Sequence, residues 1–161
     1  MIPEHIKELA SKWTNHVSTV IEKAKADLRQ VEEFPLPGAM DIGEQMEMMA
    51  NLREAFGIVK GVSVAIALAK PEGQKVRRLL DMAIDETWDD CARTHVPDSY
   101  EAPRERYATY NLATLEWRLL QRPVLEAWDS LMAIEEVVKI YSQSIAGRSR
   151  DLQVVIDVGR S

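Results

Sequence analysis

An acidic cluster between residues 81 and 90 is the first group of side chains in this chain that could do chemistry. It consists of Asp81, Asp85, Glu86, Asp89 and Asp90. Asp81, Asp85 and Asp89 repeat every four residues, so they would share one face of a helix. A hard cation such as Mg²⁺ takes several oxygen ligands, which makes this face a candidate metal site. The same spacing is typical of a solvated acidic ridge, and we favour that interpretation.

Two acidic pairs, Glu44 with Glu47 and Glu86 with Asp89, are each spaced at i and i+3. The arrangement loosely resembles the paired motifs of all-α nucleotide pyrophosphatases. That resemblance implies Mg²⁺-dependent hydrolysis of nucleoside triphosphates. The 38 residues between the pairs are more than that pattern has, and basic residues to grip phosphate are not in place. We rank a Mg-dependent hydrolase last, and expect no catalytic residue, no metal and no cofactor.

Cys91 and His95 could share a helix face, but a zinc site needs at least three protein ligands. The chain has one cysteine, so we expect Cys91 in the core and His95 at a helix end. One cysteine cannot form an intrachain disulfide, which favours a reducing, cytoplasmic location. The N-terminus lacks a basic segment and a long apolar run, so we expect no signal peptide. The most apolar stretch, residues 56–69, is too short for a membrane span.

Arginines and aromatic residues alternate along the last third of the chain. Single-stranded nucleic acid is bound by positive grooves that carry aromatic rings for stacking, and these residue types meet that need. In the competing interpretation the rings are core residues and the arginines pair with acidic neighbours at helical spacing. The candidate nucleic-acid-binding residues are Arg104, Arg106, Tyr107, Tyr110, Arg118, Arg122, Arg148 and Arg150.

The charge balance limits what such residues can bind. The chain has 161 residues with 20 Lys and Arg against 26 Asp and Glu, a net charge of −6. An acidic chain is a poor candidate for non-specific duplex binding, which depends on phosphate neutralisation by many cations. A local basic strip is still compatible with this total.

Apolar periodicity predicts an all-α fold of about five helices with coiled-coil-like packing and a short C-terminal β-strand. Asp41 is the expected N-cap of the second helix, with Glu44 completing a capping box. Pro71 to Gly73 should break the chain, and Asp98 or Ser99 should cap a later helix. We expect one domain, 1–161, made of an N-terminal helix (1–34), a central helical hairpin (41–95), a C-terminal helical pair (100–147) and a strand-like tail (148–161).

Two features of this organisation stay open from the sequence. Residues 61–69 fit either a helix or a strand, and the flanking sequence favours the helix. Apolar residues also recur at a/d spacing in the segment 123–145, either as an interface between copies or as the core stripe of a bundle. The candidate oligomer-interface residues are Val124, Ala127, Leu131, Ile134, Val138, Tyr141 and Ile145.

The run from Arg104 to Trp117, followed by a long helical stretch that ends with Gly147-Arg148-Ser149-Arg150-Asp151-Leu152, resembles bacteriophage recombination mediators of the UvsY-like group. The resemblance covers residues 74–152. It implies a small helical protein of phage origin in the host cytoplasm, which forms rings and binds single-stranded DNA to help load a strand-exchange protein. The expected partners are therefore further copies of the chain, single-stranded DNA, and a recombinase or other phage or host protein, with no membrane.

A second functional hypothesis is a protein-binding module, either a virion assembly or connector component or an acidic inhibitor of a nucleic-acid-binding partner. The acidic balance of residues 1–100 motivates it. Methionine also suits adaptable contact surfaces. The residues concerned are Met40, Met46, Met48, Met49 and Met82.

Overall fold

The computed structural model describes residues 1–31, 33–95 and 102–160. Within these ranges the chain forms four α-helices and no strand. The all-α prediction is confirmed, whereas the prediction of five helices with a C-terminal strand is wrong. The helices are α1 (Glu4–Arg29), α2 (Ile42–Thr94), α3 (Pro103–Ala113) and α4 (Leu115–Arg160).

Helix α2 begins as the sequence predicts. The backbone amide of Glu44 donates to Asp41 Oδ1 at 2.8 Å, and the amide of Asp41 donates to Glu44 Oε2 at 3.1 Å. These two hydrogen bonds are the reciprocal pair of a capping box, which satisfies amides that have no partner within the helix. The predicted N-cap is therefore confirmed.

The predicted break at Pro71–Gly73 is wrong, because α2 runs through these residues as one helix. A central helical hairpin over 41–95 does not form. Residues 61–69 are helical, so the favoured alternative is confirmed. The residues of α2 that face the core alternate in steps of four and three along most of its length, which is the spacing of a coiled-coil seam. They are Met48, Leu52, Ala55, Val59, Val62, Ile66, Ala69, Gly73, Val76 and Leu80.

A proline inside a helix costs about 3 kcal/mol, because its missing amide breaks one hydrogen bond and its ring crowds the preceding turn. Pro71 is exposed, while Ala69 and Gly73 on either side of it are buried. The stabilisation of a protein helix comes mostly from packing of its apolar face, and here that face continues on both sides of the proline. Packing therefore outweighs the local cost.

Helix α4 likewise passes through Pro123 and Gly147 and continues to Arg160. The strand predicted in the tail is wrong for a reason visible in the burial. Leu152 is buried seven residues after Ile145, so the buried repeat of α4 continues past the glycine. The β-branched residues of the tail are part of α4, because packing of its buried residues outweighs their lower helix propensity.

The junction between α3 and α4 lies at Thr114, which is buried. Its hydroxyl is 3.2 Å from the carbonyl oxygen of Tyr110, and Arg118 Nε donates to the same hydroxyl at 3.1 Å. Helix α3 ends at Ala113 and α4 begins at Leu115, so Thr114 separates the two helices. The expected caps Asp98 and Ser99 lie outside the described residues.

The chain divides into two compact units. Unit 1 comprises Met1–Ser18 and Ala69–Asp129, and unit 2 comprises Thr19–Leu68 and Ser130–Ser161. Helices α1, α2 and α4 each contribute residues to both units.

Candidate nucleic-acid interface

The core of unit 1 is built around Trp13, which is 2% exposed. Its indole Nε1–H donates to the carbonyl oxygen of Ala69 at 2.9 Å. Its ring lies 6.2 Å from that of Trp128, and the Arg77 guanidinium lies 4.7 Å from the Trp128 ring centroid. A Cβ on Gly73 would stand 2.2 Å from Trp13 Cζ2, so the indole occupies the space that the glycine leaves. The contact between Gly73 and Trp13 has no signal in the sequence beyond the place of Gly73 in the buried spacing of α2.

Helix α3 is held against the end of α2 by aromatic packing. The Trp88 ring lies 5.0 Å from Tyr110 in an edge-to-face arrangement and 6.0 Å from Tyr107. His95 also contacts Tyr110 edge to face, at 6.0 Å between ring centroids. Such pairs contribute about 0.5–1.5 kcal/mol each beyond the area they bury. The cluster therefore fixes which face of α3 is turned to solvent.

Of the two predicted stacking residues, Tyr107 is available and Tyr110 is not. Tyr107 is 61% exposed, whereas Tyr110 is buried under Trp88. A base could stack on the free side of the Tyr107 ring. Tyr110 serves as a core residue, as the competing interpretation held.

Four of the predicted nucleic-acid-binding arginines lie in unit 1, and their surroundings differ. Arg104 and Arg106 are exposed and make no ion pair with another described residue. Arg118 donates to the Thr114 hydroxyl and to the carbonyl oxygen of Asn111, so it stabilises the α3–α4 junction. Arg122 pairs with Glu126 at 3.1 Å on an exposed surface. Arg104 and Arg106 are therefore the cations of this set that remain free for phosphate within the described chain.

The last two predicted contacts, Arg148 and Arg150, belong to unit 2. Arg148 Nε donates to the carbonyl oxygen of Phe34 at 2.9 Å, and its Nη1 lies 3.1 Å from Asp151 Oδ2. Arg148 thus holds the segment after α1 in place. Arg150 is exposed and makes no ion pair with a described residue.

The acidic residues form no metal site in the described part of the chain, where no group of three His, Cys, Asp or Glu side chains could hold an ion. Asp81 accepts a hydrogen bond from Gln121 Nε2 at 2.6 Å. The two acidic pairs of the pyrophosphatase comparison both lie on α2, Glu44 and Glu47 in unit 2 and Glu86 and Asp89 in unit 1. All four acidic residues therefore lie on one helix.

The a/d residues of α4 are covered by the chain's own helices. Val124, Leu131, Val138 and Ile145 are all buried within the single chain. The three residues between them, Ala127, Ile134 and Tyr141, are half-buried. The four buried side chains fit the core stripe of the alternative interpretation, whereas an interface role for the three half-buried residues stays a prediction.

Unit 2 has an apolar groove between the first part of α2 and the last part of α4. The groove has a volume of about 470 Å³. Exposed apolar side chains of α2 continue beyond it, with Ile42 74% and Met46 65% exposed. The residues that line it from both helices include Met49, Phe56, Ile145, Ala146, Leu152 and Ile156.

Comparison of the chain with protein-family models, with curated proteins and with solved structures gives no match. No helix in the described ranges is long and apolar enough to cross a membrane. Function is therefore inferred from the geometry of the two units.

Proposed function

We propose that this chain is a non-enzymatic accessory protein that binds single-stranded DNA through the exposed face of α3. This face, which we call the α3 face, consists of Arg104, Arg106 and Tyr107. The observation that carries the proposal is an exposed ring flanked by two arginines without a described acidic partner. At 100° per residue, Arg104 lies about 60° to one side of Tyr107 and Arg106 about 100° to the other, so the three side chains span about 160° of the helix surface.

The chemistry of each side chain suits this ligand. Base stacking on an exposed aromatic ring contributes about 1–3 kcal/mol per base and is tolerant of sequence. The guanidinium group presents several donors that match phosphate geometry. Because Tyr107 packs on Trp88 at 6.0 Å, its ring is oriented before the strand arrives, which lowers the entropic cost of binding.

Two arginines give a weak site, and the number of phosphate contacts fixes how strongly its affinity depends on salt. Each phosphate contact to a single strand contributes a slope of about −0.7 to the dependence of log K on log salt concentration. The α3 face of one copy therefore predicts a slope near −1.4 from two contacts. Useful affinity would require several copies on one strand, since linked sites bind far more tightly than separate ones.

Fluorescence anisotropy with a labelled oligothymidylate at several salt concentrations tests the proposal. We expect the Arg104→Ala/Arg106→Ala variant to lose binding at moderate salt and to lose the salt-dependent slope. The matched control is Lys25→Ala/Arg29→Ala, which removes two charges from exposed positions of α1. Equal losses in both variants, or binding that does not depend on salt, would contradict the proposal.

The phage-related part of the proposal follows from the resemblance to recombination mediators. A recombinase or strand-exchange protein of a phage is the first protein partner to test, and the host cytoplasm is the location it implies. A hydrolase ranks last, because the two acidic pairs share one helix.

The second candidate function is a protein-binding module, such as a virion component or an inhibitor of a nucleic-acid-binding protein. Exposed apolar side chains in unit 1, Met82, Leu112 and Leu119, favour it. An inhibitor that presents an acidic surface would hold its arginines in ion pairs. Arg122 is in such a pair, whereas Arg104 and Arg106 make no ion pair with a described residue. This observation counts against the inhibitor. Leu119→Glu should abolish binding of a protein partner and leave DNA binding intact, whereas Arg104→Ala/Arg106→Ala should do the reverse.

A further inference from the structure

We propose that Thr114 and Arg118 form a polar hinge that leans α3 toward the end of α2, and that Arg118 is a positioning residue for DNA binding. This role rests on the DNA binding proposed for the α3 face. Arg118 holds that face in its binding-competent position, in place of the phosphate contact that the sequence suggested for it.

Helices α2 and α4 run antiparallel in unit 1. The Arg77 guanidinium lies 4.7 Å from the Trp128 ring centroid. Further along α2, Asp81 accepts a hydrogen bond from Gln121, which comes earlier in α4. Asp81 and Gln121 therefore mark one level of the two helices, and axial distances from this level follow at about 1.5 Å per residue.

A straight continuation of α4 beyond its first residue would not bring Tyr107 to Trp88. Trp88 stands seven residues after Asp81, about 10 Å along the axis, and Tyr107 stands 14 residues before Gln121, about 21 Å along it. The rings would be offset by about 10 Å, and the tilt of side chains toward the start of their own helix would add to this offset. The observed distance between the ring centroids is 6.0 Å. Helix α3 therefore departs from the axis of α4 and leans toward Trp88.

The bend lies at Thr114 and is held by side chains. Thr114 has φ −94° and ψ 0°, whereas ψ is about −42° in a regular α-helix. In a continuous helix the carbonyl oxygen of Asn111 would accept from the amide of Leu115. Here Arg118 Nη2 donates to this oxygen, and the Thr114 hydroxyl lies 3.3 Å from it. Side chains that insert into the main-chain hydrogen-bond ladder are a known cause of helix kinks.

Arg118 joins the two parts of this network. Its Nε donates to the Thr114 hydroxyl at 3.1 Å, and its Nη2 donates to the Asn111 carbonyl oxygen. Without these bonds the Asn111 carbonyl oxygen is free to accept from the Leu115 amide, and α3 and α4 can form one straight helix. The Tyr107 ring then leaves Trp88, and the α3 face loses the orientation that lowers the entropic cost of binding.

Fluorescence anisotropy with labelled oligothymidylate separates positioning from phosphate contact. Thr114→Val removes the hydroxyl and Arg118→Met removes the guanidinium. Each should raise the Kd about fivefold or more, because stacking on Tyr107 is weakened. Thr114→Ser keeps the hydroxyl and should bind like the wild type. The dependence of log K on log salt concentration should keep the wild-type slope in all three variants, since no phosphate contact is removed.

The matched control for Arg118→Met is Arg122→Met. Arg122 lies one turn further along α4, is exposed and pairs with Glu126, away from the junction. Its substitution should leave the Kd unchanged.

Nuclear Overhauser contacts between ring protons measure the bend without DNA. We expect contacts between Trp88 and Tyr107 in the wild type and in Thr114→Ser, and their loss in Thr114→Val and Arg118→Met. Contacts from the Trp13 indole to the tryptophan ring 6.2 Å from it should persist in every variant, which shows that unit 1 is still folded.

Three results overturn the proposal. The first is a slope that is shallower by about 0.7 in Arg118→Met while Thr114→Val binds like the wild type, because Arg118 would then contact phosphate. The second is retention of the ring contacts in both of these variants. The third is an equal loss of affinity in Arg122→Met.

The two proposals fail in different ways. If the wild type binds no DNA but the ring contacts respond to the junction variants as expected, the α3 face is wrong and the hinge stands. If Arg104→Ala/Arg106→Ala abolishes DNA binding while the junction variants keep both their affinity and their ring contacts, the hinge is wrong and the α3 face stands.

Discussion

Substitution of Gly73 by alanine tests the packing around Trp13. Helix propensity and overpacking have opposite effects on the free energy of unfolding, and their balance decides whether the substitution stabilises or destabilises the protein. In an exposed helix interior, replacing glycine by alanine stabilises by about 1 kcal/mol. Here the new methyl group would lie 2.2 Å from Trp13 Cζ2 and 2.6 Å from Cε2, atoms of a buried ring. Overpacking of this kind costs about 1–3 kcal/mol. Displacement of the indole also weakens its hydrogen bond to the Ala69 carbonyl oxygen, at a further cost of about 1 kcal/mol.

The net effect of Gly73→Ala is therefore a loss of about 2 kcal/mol from the free energy of unfolding, since the two costs exceed the gain in helix propensity. Gly61→Ala is the matched control, because Gly61 is exposed on the same helix and a Cβ there would meet no heavy atom within 4 Å. It should stabilise by about 0.5–1 kcal/mol. The two glycine substitutions are thus expected to have opposite signs.

Urea unfolding measures both effects. Tryptophan fluorescence reports on unit 1, where Trp13, Trp88, Trp117 and Trp128 all lie, and far-UV circular dichroism reports on the whole chain. In a double-mutant cycle, Trp13→Phe should reduce the cost of Gly73→Ala, because the clashing indole atoms are removed. A stabilising effect of Gly73→Ala equal to that of Gly61→Ala would refute the close contact.

Three further predictions concern other described contacts. Asp41→Ala should lower the free energy of unfolding by about 1 kcal/mol through loss of the capping box, and unchanged urea unfolding would contradict it. Leu131→Asp should unfold the chain instead of dissociating intact protomers, because Leu131 is 0% exposed and an unpaired buried charge costs several kcal/mol; a folded monomer by circular dichroism would count against this. Arg148→Met should speed amide exchange in residues 33–40, since the hydrogen bond to Phe34 is lost; protection equal to the wild type would show that this bond does not hold the segment.

The all-α class and the start of α2 could be predicted from the sequence, because capping and apolar periodicity are local signals. The break predicted at Pro71 to Gly73 is wrong because Pro71 was weighed by local propensity alone. The buried repeat of α2 continues through Gly73, and the buried repeat of α4 continues to Leu152. Packing along these repeats determines where the two helices continue. The apolar repeat is visible in the sequence, but only the tertiary contacts show that packing along it outweighs the local cost of the prolines.

The candidate site was predictable in residue type but not in exposure. Arginines and tyrosines near residue 107 were identified from the sequence, yet helical spacing cannot say that Trp88 covers Tyr110 and leaves Tyr107 exposed. Arg118 and Arg148 could not be recognised as structural, because their acceptors include the backbone carbonyl oxygens of Asn111 and Phe34. Such acceptors carry no residue-type signal in a sequence.

Photo-crosslinking tests the central claim, that the α3 face binds single-stranded DNA, most directly. The full chain is irradiated with a bromodeoxyuridine-substituted single strand, and the crosslinked peptide is identified by mass spectrometry. We predict that the main crosslink falls on Tyr107 and disappears in Tyr107→Leu, while Arg104→Ala/Arg106→Ala reduces its yield as salt rises. A crosslink confined to residues outside α3, unchanged in these variants, would contradict the claim.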